Sequence, residues 1–444
     1  MTIRLRLAFL AAVLAASATA RADTVQASAT TMLLGRQDYR DGTLQTAVPL
    51  YQLLNLTASE VQTPWTGDLE LALSTWGSVD LADVRFWQNG AQIDSHWTGD
   101  VNTAYVRAAW LKNAIQVRGG RMIVAEGIAR NVQLDGGELR LQLPGNFGLQ
   151  GYVGAPVAPR FSRRGGELAV GNIRATLATG GRVFWRLPGW LEVGASTSFA
   201  WDHDSTRNQD DPSRQDVGAD LRLTPFKHLA FVGSGWYSLY EQRVGEAIAA
   251  VELSPVRHLD VTVDFRHVEP DLFLSRNSIL AAFVSDHRND VGGLVHWTAI
   301  RGLALDLIYH AMLEDGGTGH WAQAKGTWHP GGPDSTLGAE LGYIRNADVN
   351  ASINGNAYTL TRLFGAKSWR ELLATLDLDA YWYEREVNGI SKSLAATGTV
   401  GYQFARSWRA AVAGTAGSTP FMERQFEIMA KLVYEQTYAT REAK

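Results

Sequence analysis

The chain has 444 residues, with 41 basic and 45 acidic side chains, 44 glycines, 15 tryptophans and no cysteine. A formal charge of −4 leaves no footprint for nucleic acid and no basic tail for an anionic membrane surface, and without cysteine there is neither a disulfide nor a lipid-anchored leader. Glycine and tryptophan are rich for a soluble domain, and past the first residues no run of 18 apolar residues occurs, which excludes helical membrane spans.

Residues 1–22 read as a secretory signal peptide. Arg4 and Arg6 give a basic start, LAFLAAVLAA an apolar core, and Ala20-Arg21-Ala22 a small-x-small cleavage site before Asp23. The core is shorter than the ~20 residues of a spanning helix. Cleavage removes Arg4, Arg6 and Arg21 and no acid, leaving 38 basic residues against 45 acidic, a charge of −7. No linker or shift of composition divides residues 23–444, which read as one domain.

From there a two-residue period runs along the chain, the signature of strands. Leu69, Leu71 and Leu73 alternate with Glu70, Ala72 and Ser74, and Leu139, Leu141 and Leu143 with Glu138, Arg140 and Gln142. Leu191, Val193, Ala195, Thr197, Phe199 and Trp201 then oppose Glu192, Gly194, Ser196 and Ser198. Val217, Ala219, Leu221 and Leu223 oppose Asp216, Gly218, Asp220 and Arg222. In HLDVTVDFRHV (258–268), Leu259, Val261, Val263 and Phe265 oppose Asp260, Thr262, Asp264 and Arg266. The pattern continues through Leu303–Tyr309 against Asp306, Leu337–Tyr343 against Glu340, Leu376–Trp382 against Asp377 and Asp379, and Phe426–Tyr434 against Glu427 and Lys431. Short turns such as LTPFKH (223–228) and LSPVRH (253–258) contrast with long polar connections such as DHDSTRNQDDPSRQD (202–216) and RNADVNASINGN (345–356).

Either a protein core or lipid can cover the apolar face, and three features select lipid. The strands run about 9–13 residues, enough to cross a bilayer at the usual tilt. Aromatics sit towards strand ends, at Trp190, Trp201, Tyr240, Trp297, Tyr309, Tyr343, Trp382 and Tyr434, where interfacial belts belong. Charges occupy the polar face in mid-strand, which suits a wet lumen and is costly in a dry core. The expected fold is all-β: a transmembrane up-and-down antiparallel barrel of about 18 strands, within 16–20, from a repeat of about 23 residues per strand and turn. So wide a barrel holds an aqueous channel unless a loop plugs it.

Candidate lumen and selectivity residues are Arg107, Arg118, Arg140, Asp216, Asp220, Arg222, Asp260, Asp264, Arg266, Asp306, Asp377 and Asp379. They line a pore that orders water and passes polar solutes, or they rigidify the wall as cross-strand ion pairs. Basic residues cluster in the first third, and arginines meeting on one wall attract anionic solutes, whereas solvated loop charge is the plainer reading. LFLSRNSILAAFVSDH (272–287) breaks the alternation and reads either as a strand of imperfect period or as a segment that folds inward and constricts the pore, with Arg276, Asn277 and Ser278 as its polar tip. Trp236, Tyr381 and Tyr383 share the polar parity and are candidates to stack on sugar rings. There is no HExxH, G-x-S-x-G, P-loop or metal-ligand spacing. The pair Asp377 and Asp379, about 7 Å apart on one strand face, is what any wet face presents, so no enzyme and no cofactor is expected.

The segments LLGRQDYRDG (33–42), VRGGRMIVAEG (117–127) and VQLDGGELRLQL (132–143) resemble the Gly-Arg-Gln and Asp-Gly strand motifs of Gram-negative outer-membrane barrels of the porin-like class. That resemblance implies an outer-membrane location and arginines along one wall of the lumen. VELSPVRHLDVTVDFRHVEPDLFLSRNSILAAF (251–283) is also similar to barrels associated with secreted polysaccharide. One departure is the end of the chain, which runs through ATREAK beyond the last strand near Tyr434 or Tyr438 instead of stopping on an aromatic residue. The expected function is a channel embedded in outer-membrane lipid that passes small hydrophilic solutes. The alternatives are a conduit exporting a polysaccharide chain with periplasmic partners, and a secreted β-rich enzyme or carbohydrate-binding protein.

Overall fold

The computed structural model describes residues 22–40, 43–61, 66–82, 87–88, 91–92, 97–125, 127, 132–157, 173–204, 209–273, 287–298, 300–332, 334–347 and 357–439. The wall is one antiparallel sheet of 22 strands, each paired with the next in sequence and the last paired with the first. Its first quarter comprises β1 (Ala22–Arg40), β2 (Pro49–Val61), β3 (Asp68–Asp80), β4 (Trp97–Trp110) and β5 (Ile115–Val124). Next come β6 (Val132–Leu143), β7 (Phe147–Pro156), β8 (Ile173–Leu187), β9 (Leu191–Asp204), β10 (Gln209–Phe226) and β11 (Leu229–Ser238). The following strands are β12 (Arg243–Val256), β13 (Leu259–Val268), β14 (Arg288–Trp297), β15 (Leu303–Glu314), β16 (Gly317–Trp328) and β17 (Ser335–Arg345). The circuit ends with β18 (Ala357–Trp369), β19 (Leu372–Val387), β20 (Ile390–Ala405), β21 (Trp408–Thr419) and β22 (Met422–Ala439). Closure is a full-length ladder, from Thr24 opposite Ala439 to Tyr39 opposite Arg424.

The strand number corrects the sequence estimate of about 18. That estimate assumed a repeat of about 23 residues, but the turns 227–228, 257–258, 370–371 and 406–407 have two residues each. The end of the barrel that holds Ala22 and Ala439 carries these tight turns. The other end has the long connections 81–96, 157–172, 269–287 and 346–356, but also two-residue turns at 315–316, 388–389 and 420–421. Much of the polar run 202–216 is strand: β9 and β10 pair up to Asp204 opposite Gln209 and accommodate Pro212 at a bulge. A strand that outruns the apolar band stands in water, so its sequence there is polar.

Residues of one parity form an exposed apolar exterior, with Val263 at 56%, Leu341 at 56% and Leu363 at 58% exposure. A continuous surface of this kind is stable against hydrocarbon and not against water. Trp190, Trp297 and Tyr434 fall at the tight-turn end, and Trp201, Tyr240, Tyr309, Tyr343 and Trp382 towards the other, giving two aromatic belts.

The inner parity is polar, with aromatic rings laid over glycines of the adjoining strand. Gly338 is opposite Phe364, and a Cβ there would lie 2.1 Å from the ring; Gly148 opposite Phe184 leaves 2.0 Å, and Gly292 opposite His310 leaves 2.6 Å. Each ring covers backbone that a glycine would otherwise leave bare, which pins strand register. Met122, Val124, Leu134 and Tyr152 form a buried apolar kernel on the inner face of β5–β7.

Two outcomes follow. Val263→Arg places a charge on the lipid face and is expected to destabilise the barrel by about 2–4 kcal/mol if Val263 lies near the bilayer midplane, read by denaturant unfolding in phospholipid vesicles. Gly338→Ala is expected to cost about 1–3 kcal/mol by overpacking, and markedly less in a Phe364→Ala background, a coupling that a double-mutant cycle measures.

Candidate functional site

The inner wall from β3 to β6 carries an arginine cluster matched by carboxylates. Arg107 and Arg118 are direct cross-strand partners, a like-charge contact that is unfavourable alone. It is bracketed by acids. Arg107 reaches Glu70 at 2.8 Å and Asp68 at 3.2 Å, while Arg118 reaches Glu138 at 2.5 Å. Glu138 is buried and also accepts from Arg140 at 2.8 Å and from the Gln150 amide. The Tyr105 hydroxyl donates to Glu70 at 2.7 Å, and the Arg118 guanidinium stands 5.1 Å from the Tyr105 ring centre. Glu70, Tyr105, Arg107, Gln116, Arg118 and Arg140, with Glu138, line an indentation of about 160 Å³. The expected Arg107, Arg118 and Arg140 therefore do share one wall, as ion pairs and not as an unopposed basic surface.

Along β8–β10 the organising residue is Arg182, which the sequence reading did not single out. Its guanidinium donates to Asp220 at 3.0 Å and to Glu192 at 2.9 Å, and stacks 4.7 Å from the Phe184 ring centre. Arg186 shares Glu192 at 2.7 Å, Arg222 pairs with Glu252 at 2.9 Å, and Asp216 is buried against Arg214. One residue of the connection after β5 reaches this wall. Gly127, at φ +58°, lies so close that a Cβ would meet the Ser196 Cβ at 2.7 Å and the Arg182 Cδ at 3.4 Å. Residue 127 thus stands on the lumen side of the wall, against the inner faces of β8 and β9. The expected constriction residues Arg276, Asn277 and Ser278 lie outside the described residues.

On β13–β19 the acids outnumber the arginines. Asp260 accepts from Ser254 at 2.6 Å, Asp264 lies 3.8 Å from His310, Asp306 holds His296 at 2.6 Å, and Arg266 pairs with Glu246 at 2.7 Å. Arg362 binds Asp377 at 2.8 Å and approaches Asp379 at 3.6 Å and Glu340 at 3.8 Å. The two aspartates share one guanidinium, so they form an ion-pair network. Tyr358 packs between Tyr381 and Tyr383, and Trp236 is buried beside Arg214, so these aromatics are packed into the wall. On β20 and β21 the inner face is small, with Thr397 hydrogen-bonded to Thr415 at 3.0 Å among Ala395, Ala411 and Ala413, while Glu427 and Lys431 of β22 stand opposite Thr415 and Ala411. Among the described residues no group of three or more His, Cys, Asp or Glu is placed to hold a metal.

Several of the paired charges remain in contact with water: the side chains of Arg140, Arg222 and Arg266 are 43%, 55% and 46% exposed. The wall therefore leaves donors and acceptors open to solvent.

No protein-family model and no curated protein matches the sequence. Among solved structures, the chain is similar to a mutant ferric enterobactin receptor, PfeA, of Pseudomonas aeruginosa in complex with enterobactin, at 7% identity and a TM-score of 0.57, over 92% of this chain and 81% of that one. It also aligns with OccAB4 of Acinetobacter baumannii at 10% identity and a TM-score of 0.48, over 94% of this chain and 98% of that one. OpdK of Pseudomonas aeruginosa, solved with vanillate, aligns at 14% identity and a TM-score of 0.44, over 94% and 98%. At these identities the likeness to the receptor is one of fold, a closed transmembrane β-barrel.

Proposed function

We propose that the protein is an outer-membrane channel that passes small hydrophilic solutes through its charged lumen. The observation that carries this reading is the division of one closed sheet into an exposed apolar exterior and an ion-paired, water-accessible interior. A barrel of this width cannot fill its interior with wall side chains, and Gly127 stands inside it against Ser196 and Arg182. The expected signal peptide, residues 1–22, supplies the export step, and outer-membrane lipid is the partner of the exterior. No observation favours polysaccharide export or periplasmic partners.

The test is single-channel recording on the purified protein in planar bilayers. Discrete ion-conducting steps without any added partner are expected, whereas a protein that stays closed at all voltages would overturn the channel reading and fit a gated conduit. Replacing Gly127 with a bulky residue is expected to lift the chain off Ser196 and Arg182 and change the unitary conductance. Asp264→Asn, at a partly buried carboxylate, and Arg266→Gln, at an exposed guanidinium, are expected to shift ion selectivity in opposite directions, and Arg266→Gln to cost about 0–1 kcal/mol in stability.

A further inference from the structure

Seven consecutive strands, β13 to β19, each place one inner-face ionisable residue at a single register level. Following cross-strand partners, Asp260 is opposite His296, His296 opposite Asp306, and Asp306 opposite Lys325. The row continues from Lys325 to Glu340, then Arg362, then Asp379. Acidic and basic side chains alternate at every step, and from Asp306 to Asp379 the bases are the cations Lys325 and Arg362. Neighbouring strands are about 4.8 Å apart, so the pattern repeats every ~10 Å along the row. The potential of an alternating array falls by a factor of e over its period divided by 2π, here about 1.6 Å, far shorter than the Debye length of about 8 Å at physiological salt. The row is therefore nearly silent at the centre of the lumen and strong at the wall. Because strands in such barrels tilt by about 35–45°, a row perpendicular to them climbs through the lumen as an inclined path.

Within the row the charges are unequally satisfied. Asp306 holds His296 at 2.6 Å, Arg362 lies between Glu340 and Asp379, and Glu340 also accepts from Gln323 at 2.9 Å. Lys325 differs. Among the described residues no carboxylate lies within 4.0 Å of its Nζ, which stands 5.7 Å from the Phe364 ring centre. A carboxylate nonetheless occupies the register position on either side, Asp306 and Glu340.

We propose that this row is a contact site for small zwitterions, with the solute carboxylate on Lys325 and its ammonium on Glu340 or Asp306. The proposal rests on the channel reading and names the solute class. A molecule whose opposite charges lie a few ångströms apart matches one strand spacing. A simple anion at Lys325 meets carboxylates on both sides, a simple cation at Glu340 meets Lys325 and Arg362, and a neutral polyol gains neither contact.

Osmotic swelling of proteoliposomes holding the full-length protein tests this with alanine, sodium lactate and glycerol, which are close in size. Alanine is expected to enter faster than glycerol. The alanine-to-glycerol ratio is expected to fall about threefold in Lys325→Met and in Glu340→Gln, the effect of one exposed ion pair. Two variants on different strands guard against a folding defect in either, which heat-modifiable mobility in gels reports directly. An unmodified protein that shows no preference for alanine, or a ratio unchanged in both variants, would overturn the zwitterion site while glycerol entry upheld the channel. Entry of none of the three solutes would overturn the channel reading and this proposal with it.

Discussion

Hydrocarbon offers no hydrogen-bond partner to a peptide group, and that constraint governs the molecule. A sheet that crosses lipid has to leave no edge, so the first strand meets the last over its whole length, Thr24 to Tyr39 against Ala439 to Arg424. Closure at 22 strands then fixes the width. Width leaves a lumen that wall side chains cannot fill, and a wet lumen permits ionised side chains in mid-strand.

How those charges are arranged follows from local register. Where like charges meet, as at Arg107 and Arg118, buried Glu138 and partly exposed Glu70 flank them. Where a guanidinium is buried, as at Arg182, two carboxylates and an aromatic face surround it. Pairs such as Arg222–Glu252 are open to water and contribute little to stability. They keep donors and acceptors in contact with the lumen water. Interior rings act differently. Phe184 and Phe364 lie over Gly148 and Gly338 and carry Arg182 and Arg362 on their other contacts, so one side chain joins backbone packing to charge placement.

Much of this was legible in the alternation. The parity of Leu259, Val261, Val263 and Phe265 against Asp260, Asp264 and Arg266 separates exterior from lumen, because a strand has only two faces. Strand number was not legible, since a two-residue turn such as 227–228 or 388–389 leaves little polar sequence to mark it. Arg182, Lys325 and Arg362 escaped notice for a physical reason. Phe184, Trp321 and Phe364 share their inner face, and an aromatic on the polar side blurs the two-residue period. The inward position of Gly127 had one signal, a glycine in a short connection, at φ +58° in the structure. Nothing in the sequence states that Ser196 and Arg182 receive it.

The seam between β1 and β22 also determines when the protein can become itself. Its partners are separated by nearly the entire chain, so no pairing made earlier removes the need for this last one. Until β22 is present and in place, every intermediate sheet has two bare edges able to pair with another chain, and the entropy of joining such distant segments makes closure slow. Assembly is thus a terminal event, and a chain truncated before residue 422 has no smaller barrel of the same register to fall back on.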